Sequence, residues 1–103
     1  MTTDTALEVE IDEKIEHLIK EPSKYNVIFM NDDVTPMEWV ADLLITIFKH
    51  TQSSSLELAM EIHTNGSGIV GTYSYEIAEQ KTMEATSLSR DNGFPLQIKL
   101  EAE

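Results

Sequence analysis

The chain has 103 residues, of which 41% are hydrophobic, enough for one modest core and one domain. Nineteen acidic residues face seven basic ones, a formal net charge of -12, which argues against nucleic acid and anionic membranes and favours solubility and cationic partners. There is no cysteine, so disulfides, thiolate metal sites and cysteine nucleophiles are excluded together.

Residues 1–22 hold seven acids, two lysines and few apolar side chains. The start, Met1 to Glu10, has neither the basic residues nor the apolar run of a signal peptide, and no stretch is apolar enough to span a bilayer. This composition predicts a flexible acidic extension over 1–22, with a nascent helix over residues 10–20 as the alternative. Pro22 and Ser23 mark the entry to a folded domain over 23–103.

Tyr25 to Met30 is apolar at almost every position and predicts a central strand buried on both faces. Asn31-Asp32-Asp33-Val34 is a polar break. Thr35 as cap, Pro36 at the first helical position and Glu38 completing a capping box predict a helix to about His50. Its core stripe is Val40, Leu43, Leu44, Ile47 and Phe48, with Met37 and Ala41 on a neighbouring edge. Ser54-Ser55-Leu56-Glu57 predicts a second capped helix with a stripe of Leu56, Ala59, Met60 and His63, flanked by Leu58 and Ile62 and ended by Asn65-Gly66. Ile69 to Tyr73 predicts a strand. Ser74 caps a third helix over Tyr75–Arg90 with a thin stripe of Ile77, Ala78, Ala85 and Leu88. Asn92-Gly93 stops it, and Leu96, Ile98 and Leu100 alternate with polar residues as an edge strand. The order β-α-α-β-α-β predicts an α+β fold, a three-stranded antiparallel sheet with three helices packed on one face.

Three groups of residues invite a function. Asn31, Asp32 and Asp33 stand at the mouth of the central strand, either as turn formers or facing a ligand. His63 is either a boundary residue of its helix or a polar contact. Met37, in a first turn, is either core filler or the rim of a pocket. No calcium loop, phosphate loop or HExxH motif is present, and no serine or threonine sits in a nucleophile motif. An enzyme is therefore not expected, and no cofactor is called for. A metal-dependent site built from Asp32, Asp33 and His63 remains a third-ranked reading.

The run Asn31-Asp32-Asp33-Val34-Thr35-Pro36-Met37-Glu38, followed by Trp39-Val40, resembles the signature of the ClpS family, adaptors that recognise N-terminal degrons for Clp AAA+ proteases. His63 with Gly66, Gly71, the stretch Glu76 to Lys81 and Pro95-Leu96 continue the likeness from about Ser23 to Glu101. The resemblance implies that a free α-amino group is held by Asn31, Asp32 and His63, with Asp33 shaping the loop. It implies that a bulky first side chain (Leu, Phe, Tyr or Trp) enters a pocket of Ile28, Thr35, Met37, Val40, Ala59, Ile62 and Leu96, with Met37 as gatekeeper. Glu76, Glu79 and Lys81 match the surface that docks on the N-terminal domain of a ClpA- or ClpC-type ATPase. Residues 1–22 match the extension that helps hand over substrate. The implied protein is a monomer in the cytoplasm or plastid stroma, with no nucleic-acid or membrane partner. Family members commonly carry Met where this chain has Ala59, which should enlarge or reshape the pocket and alter the order of preference. A pocketless interaction domain on the same scaffold is the alternative.

Overall fold

The computed structural model describes residues 23–103; the predicted extension over 1–22 and its nascent helix lie outside the described residues. The elements follow in the order β1 (Lys24–Met30), α1 (Met37–Thr46), α2 (Gln52–Asn65), β2 (Ser67–Ser74), α3 (Tyr75–Asp91) and β3 (Gln97–Ala102). The sheet is antiparallel with strand order β2-β1-β3, so β1 is central, as its apolar run requires.

Side chains alternate across a strand, so β1 carries two sets. Val27 and Phe29 are fully buried among residues from all three helices, and Tyr25 packs against the same cluster. Ile28 is also buried but stands outside that cluster, on the opposite face, where its strand partners are Ile69 and Lys99. A bulge lies between Val27, which pairs with Gly71, and Ile28, which pairs with Ile69. The extra residue, Val70, is buried in the core.

The core stripe of α1 is the predicted one: Val40, Leu43, Leu44, Ile47 and Phe48 are all buried, with Ala41 beside them. The helix ends at Thr46, not His50, because Lys49 turns into the left-handed region at φ 62°. Two lysines satisfy its last carbonyls: Lys49 Nζ donates to Thr46 O (3.1 Å) and Lys81 Nζ to Ile47 O (2.7 Å). His50 ties the turn to β2, since its Nε2 lies 2.7 Å from Val70 O, which can only accept.

The second helix differs from the expected register. Thr51, not Ser54, is its N-cap, and the Thr51 side chain accepts from the Ser54 N–H at 3.1 Å. The buried residues are Ser55, Ala59 and Ile62, with Leu58 half-buried. Leu56 and Met60 are 55% and 51% exposed, so the expected stripe is rotated by about one residue. What allows this is Ser55, fully buried because its hydroxyl donates to Gln52 O (2.9 Å) and leaves no unpaired donor. Gly66 closes the helix at φ 93° as expected. Gly68 lets β2 approach α2 closely, since a Cβ there would stand 2.9 Å from Ile62 Cγ1.

Ser74 stands at the N-cap of α3 as expected, although its side chain makes no capping bond. The thin stripe of α3 is thinner than read: Ala78, Ala85 and Ser89 are buried, while Ile77 and Leu88 are largely exposed. Leu44→Ala is expected to lower the unfolding free energy by about 2–5 kcal/mol. Leu56→Ala is expected to change it by less than about 0.5 kcal/mol. Urea unfolding checks both, and equal losses would contradict the register of α2.

Candidate functional site

The loop after β1 is built around one carboxylate. Asp32 Oδ1 accepts from the backbone N–H groups of Val34 (2.8 Å) and Thr35 (2.7 Å), and Oδ2 accepts from Thr35 Oγ1 (2.8 Å). Partial burial pushes the Asp32 carboxyl up. The Thr35 N–H and hydroxyl, the Val34 N–H and the positive charge of Arg90 outweigh it, and its pKa lies below the ordinary 3.8. Three of about four acceptor positions are used, leaving one on Oδ2. Asp32 thus shapes the loop while keeping that position open for a further donor. Asp33, read as the loop former, is exposed. The expected capping box is not formed either. Pro36 is the N-cap of α1, no side chain caps it, and the Thr35 hydroxyl serves Asp32 instead.

A backbone bond joins this loop to α2. The Asn31 N–H donates to Gly66 O (2.9 Å), which brings the last turn of α2, carrying the exposed His63, beside the mouth of β1. Val40, Ala59, Ile62 and Leu96, each at most 6% exposed, lie in one buried cluster with Phe29. Thr35 is half-buried and Met37, the first residue of α1, is 40% exposed at the surface. Four of the expected walls therefore lie in that cluster, with Thr35 and Met37 outside it. Ile28 does not lie in it, because it faces the other side of the sheet. Phe29, which shares a face of β1 with Asn31, lies in that cluster.

Two further residues hold the walls. Arg90 donates from one guanidinium nitrogen to Phe94 O (3.0 Å) and Leu96 O (2.8 Å), fixing the segment that carries Leu96. Trp39 Nε1 donates to Ser89 Oγ (2.9 Å), and its ring stacks at a tilt on Phe94. Neither bond follows from the sequence, because the partners lie far along the chain or beyond a turn. On the other side of the loop is an open cleft of about 320 Å³, lined by Met30, Asn31, Asp32, Pro95 and Gln97. It contains none of the expected apolar walls. Among the described residues no three His, Asp or Glu side chains gather as a metal site, so Asp32, Asp33 and His63 are not so assembled. No described helix is long and apolar enough to cross a membrane.

A family model described as ATP-dependent Clp protease adaptor protein ClpS matches residues 20–99. The chain belongs to the ClpS family. It is 38% identical over 97 residues to the ATP-dependent Clp protease adapter protein ClpS of Clostridium acetobutylicum, covering 92% of this chain and 96% of that one. It is 42% identical over 81 residues to the ClpS of Treponema denticola, covering 79% and 80%. Among solved structures, Agrobacterium tumefaciens ClpS2 bound to L-phenylalaninamide is similar at a TM-score of 0.78 and 37% identity, covering 81% of this chain and all of that one. As a ClpS protein, this chain is of an adaptor family of the Clp protease and not itself of a protease family.

The ClpS-like stretch at the start of α3 has its own geometry. Glu76 and Glu79 are exposed, and Glu79 accepts from the Tyr75 hydroxyl (3.1 Å). Lys81 is half-buried, its ammonium bound to Ile47 O and lying 5.4 and 5.9 Å from the Tyr73 and Phe48 ring centres. It caps α1 at least as much as it faces outward.

The depressed Asp32 pKa has a consequence. A carboxylate whose folded pKa is lowered contributes stability above its unfolded pKa, and that stability is lost as pH falls through the folded value. Carboxyl NMR should find Asp32 titrating below 3.8. Protection of the Val34 and Thr35 amides should be lost in the same acid range, and at every pH in Asp32→Ala. A midpoint above 3.8 would contradict the bonding described.

Proposed function

We propose that this chain binds proteins through a free N-terminal amino group and a bulky hydrophobic first side chain, and delivers them to a Clp AAA+ ATPase for degradation. The observation that carries this reading is the bond from Asn31 N–H to Gly66 O, which joins the loop to the end of the helix that carries His63 and, on its buried face, Ala59 and Ile62. The solved relative adds chemical support, because L-phenylalaninamide offers a free amine and a benzyl group.

A protonated amine has three donors and calls for three acceptors. Asn31 and His63 supply two, His63 from a neutral ring nitrogen. Asp33 supplies the third in this reading, because the Asp32 carboxylate is already occupied by Thr35 and Val34 while Asp33 is exposed. Asp32 contributes charge and one remaining acceptor position. The first side chain enters between Thr35, Met37, Val40, Ala59, Ile62 and Leu96, over Phe29. Val40, Ala59, Ile62 and Leu96 are packed in the core, so entry requires side chains there to shift. Burying a Leu or Phe there contributes roughly 1.5–3 kcal/mol. Ala59 leaves more room than a Met would. Glu76 and Glu79 meet the N-terminal domain of a ClpA- or ClpC-type ATPase. Lys81 holds the end of α1 beside them. The protein acts as a monomer in the compartment of that ATPase, cytoplasm or plastid stroma, without a cofactor. The closed cluster also suits the alternative of an interaction domain without a pocket.

Peptide titrations separate the two. Peptides beginning Leu, Phe, Tyr or Trp should bind, and N-acetylated copies should lose about ten- to a hundredfold, the cost of unpaired polar groups. Asp33→Ala should lose a similar factor. His63→Ala should weaken binding of the free peptides and leave that of the acetylated copies unchanged. Ala59→Met should weaken Trp more than Leu. Equal binding of free and acetylated peptides would overturn the proposal. Glu76→Lys with Glu79→Lys should abolish delivery to the ATPase and leave peptide affinity unchanged; unchanged delivery would remove that surface from the account.

A further inference from the structure

Tyr75 is the first residue of α3 and stands one turn before Glu79, so the two share a face of the helix. Its hydroxyl donates to Glu79 Oε2 at 3.1 Å. Its ring meets the Tyr25 ring edge-on, with centres 5.1 Å apart and planes at 69°. Tyr25 is itself fixed, paired on both sides in the central strand and packed against the core. The Tyr75 ring is therefore moored by Tyr25 and its tip by Glu79, yet the residue is 46% exposed. The bond to Glu79 and the charge of that carboxylate push the Tyr75 phenol up, so it stays a donor at neutral pH. A large aromatic side chain that is already held in place loses little freedom when a partner covers it.

We propose, resting on the docking role given to Glu76 and Glu79 above, that Tyr75 is a further contact of that surface: an arginine of the ATPase's N-terminal domain lies against the exposed part of the Tyr75 ring and pairs with the Glu79 carboxylate. A guanidinium suits both groups, since it is planar, stacks on aromatic rings and offers a fork of donors to a carboxylate. One Glu79 oxygen holds the phenol, and the other keeps its acceptor positions, as Glu79 makes no further bond among the described residues. The protein's own cations do not fill the place. Lys81 is bound to Ile47 O, and the ion pair among the described residues is Lys99 with Glu101. Tyr75 thus acts twice, holding Glu79 through its hydroxyl and offering its ring to the same cation.

Binding of the full-length chain to the intact Clp ATPase, followed by fluorescence anisotropy, tests this. Tyr75→Ala should weaken docking about five- to thirtyfold, the scale of a cation–aromatic contact at an interface. Tyr75→Leu, which keeps an apolar side chain, should lose nearly as much, and Tyr75→Phe, which keeps the ring, only about two- to fivefold. A peptide beginning with Phe should bind all three variants within about twofold of the parent, which separates loss of docking from loss of the fold. Tyr75→Ala combined with Glu79→Gln should lose less than the product of the single losses, because both groups hold one cation. Full docking by Tyr75→Leu, or losses that simply multiply, would overturn the contact. The Glu76→Lys, Glu79→Lys variant keeps the two readings apart. If it abolishes docking while Tyr75→Ala has no effect, the Tyr75 contact alone fails. If it too docks normally, the docking surface itself fails.

Discussion

The Asp32 carboxylate gathers the N–H groups of Val34 and Thr35 and the Thr35 hydroxyl, and the rest of the site depends on that knot. A loop of polar residues at the end of a strand has many conformations of similar energy, and a charged acceptor with three donors selects one. That choice commits the Thr35 hydroxyl to the loop, sets Pro36 as the start of α1 and leaves Met37 at the surface. It also leaves Asp33 facing out and Asn31 bonded to the end of α2. Removing the Asp32 charge therefore disturbs residues that it does not itself touch.

The second constraint is the two-sidedness of β1. As a central strand it buries Phe29 toward the helices and Ile28 toward the other face, and residues on either side of its mouth open onto different spaces. The same alternation in the segment before β3 sends Leu96 inward and Pro95 and Gln97 to the cleft. Arg90, holding the Leu96 and Phe94 carbonyls, keeps that segment in register. One loop thus separates an apolar space from a polar one over the width of a single backbone.

Much of this was legible in the sequence. Element order, the antiparallel sheet with central β1, the stripe of α1 and the stop at Gly66 followed from periodicity and turn residues. The ClpS likeness followed from the loop signature with His63. What was not legible has physical causes. Leu56 and Met60 read as core because an apolar pattern does not say which flank is buried; the hydroxyl of Ser55, paired with Gln52 O, let a polar residue take the inner position. The end of α1 hid in a non-glycine left-handed residue, Lys49. Adjacent aspartates look alike in sequence, and only hydrogen-bond geometry distinguishes Asp32, bonded within the loop, from the exposed Asp33. Arg90 and Ser89 were missed because their importance lies in carbonyl and indole partners that no local pattern shows.

The division of labour between the two aspartates is the centre of this account, and a crystal structure with L-phenylalaninamide bound tests it most directly. The account predicts the amine within hydrogen-bond distance of Asn31, Asp33 and His63, with the three bonds of Asp32 to Val34 and Thr35 intact. An Asp32 carboxylate released from Thr35 and turned onto the amine, with Asp33 left in solvent, would contradict it.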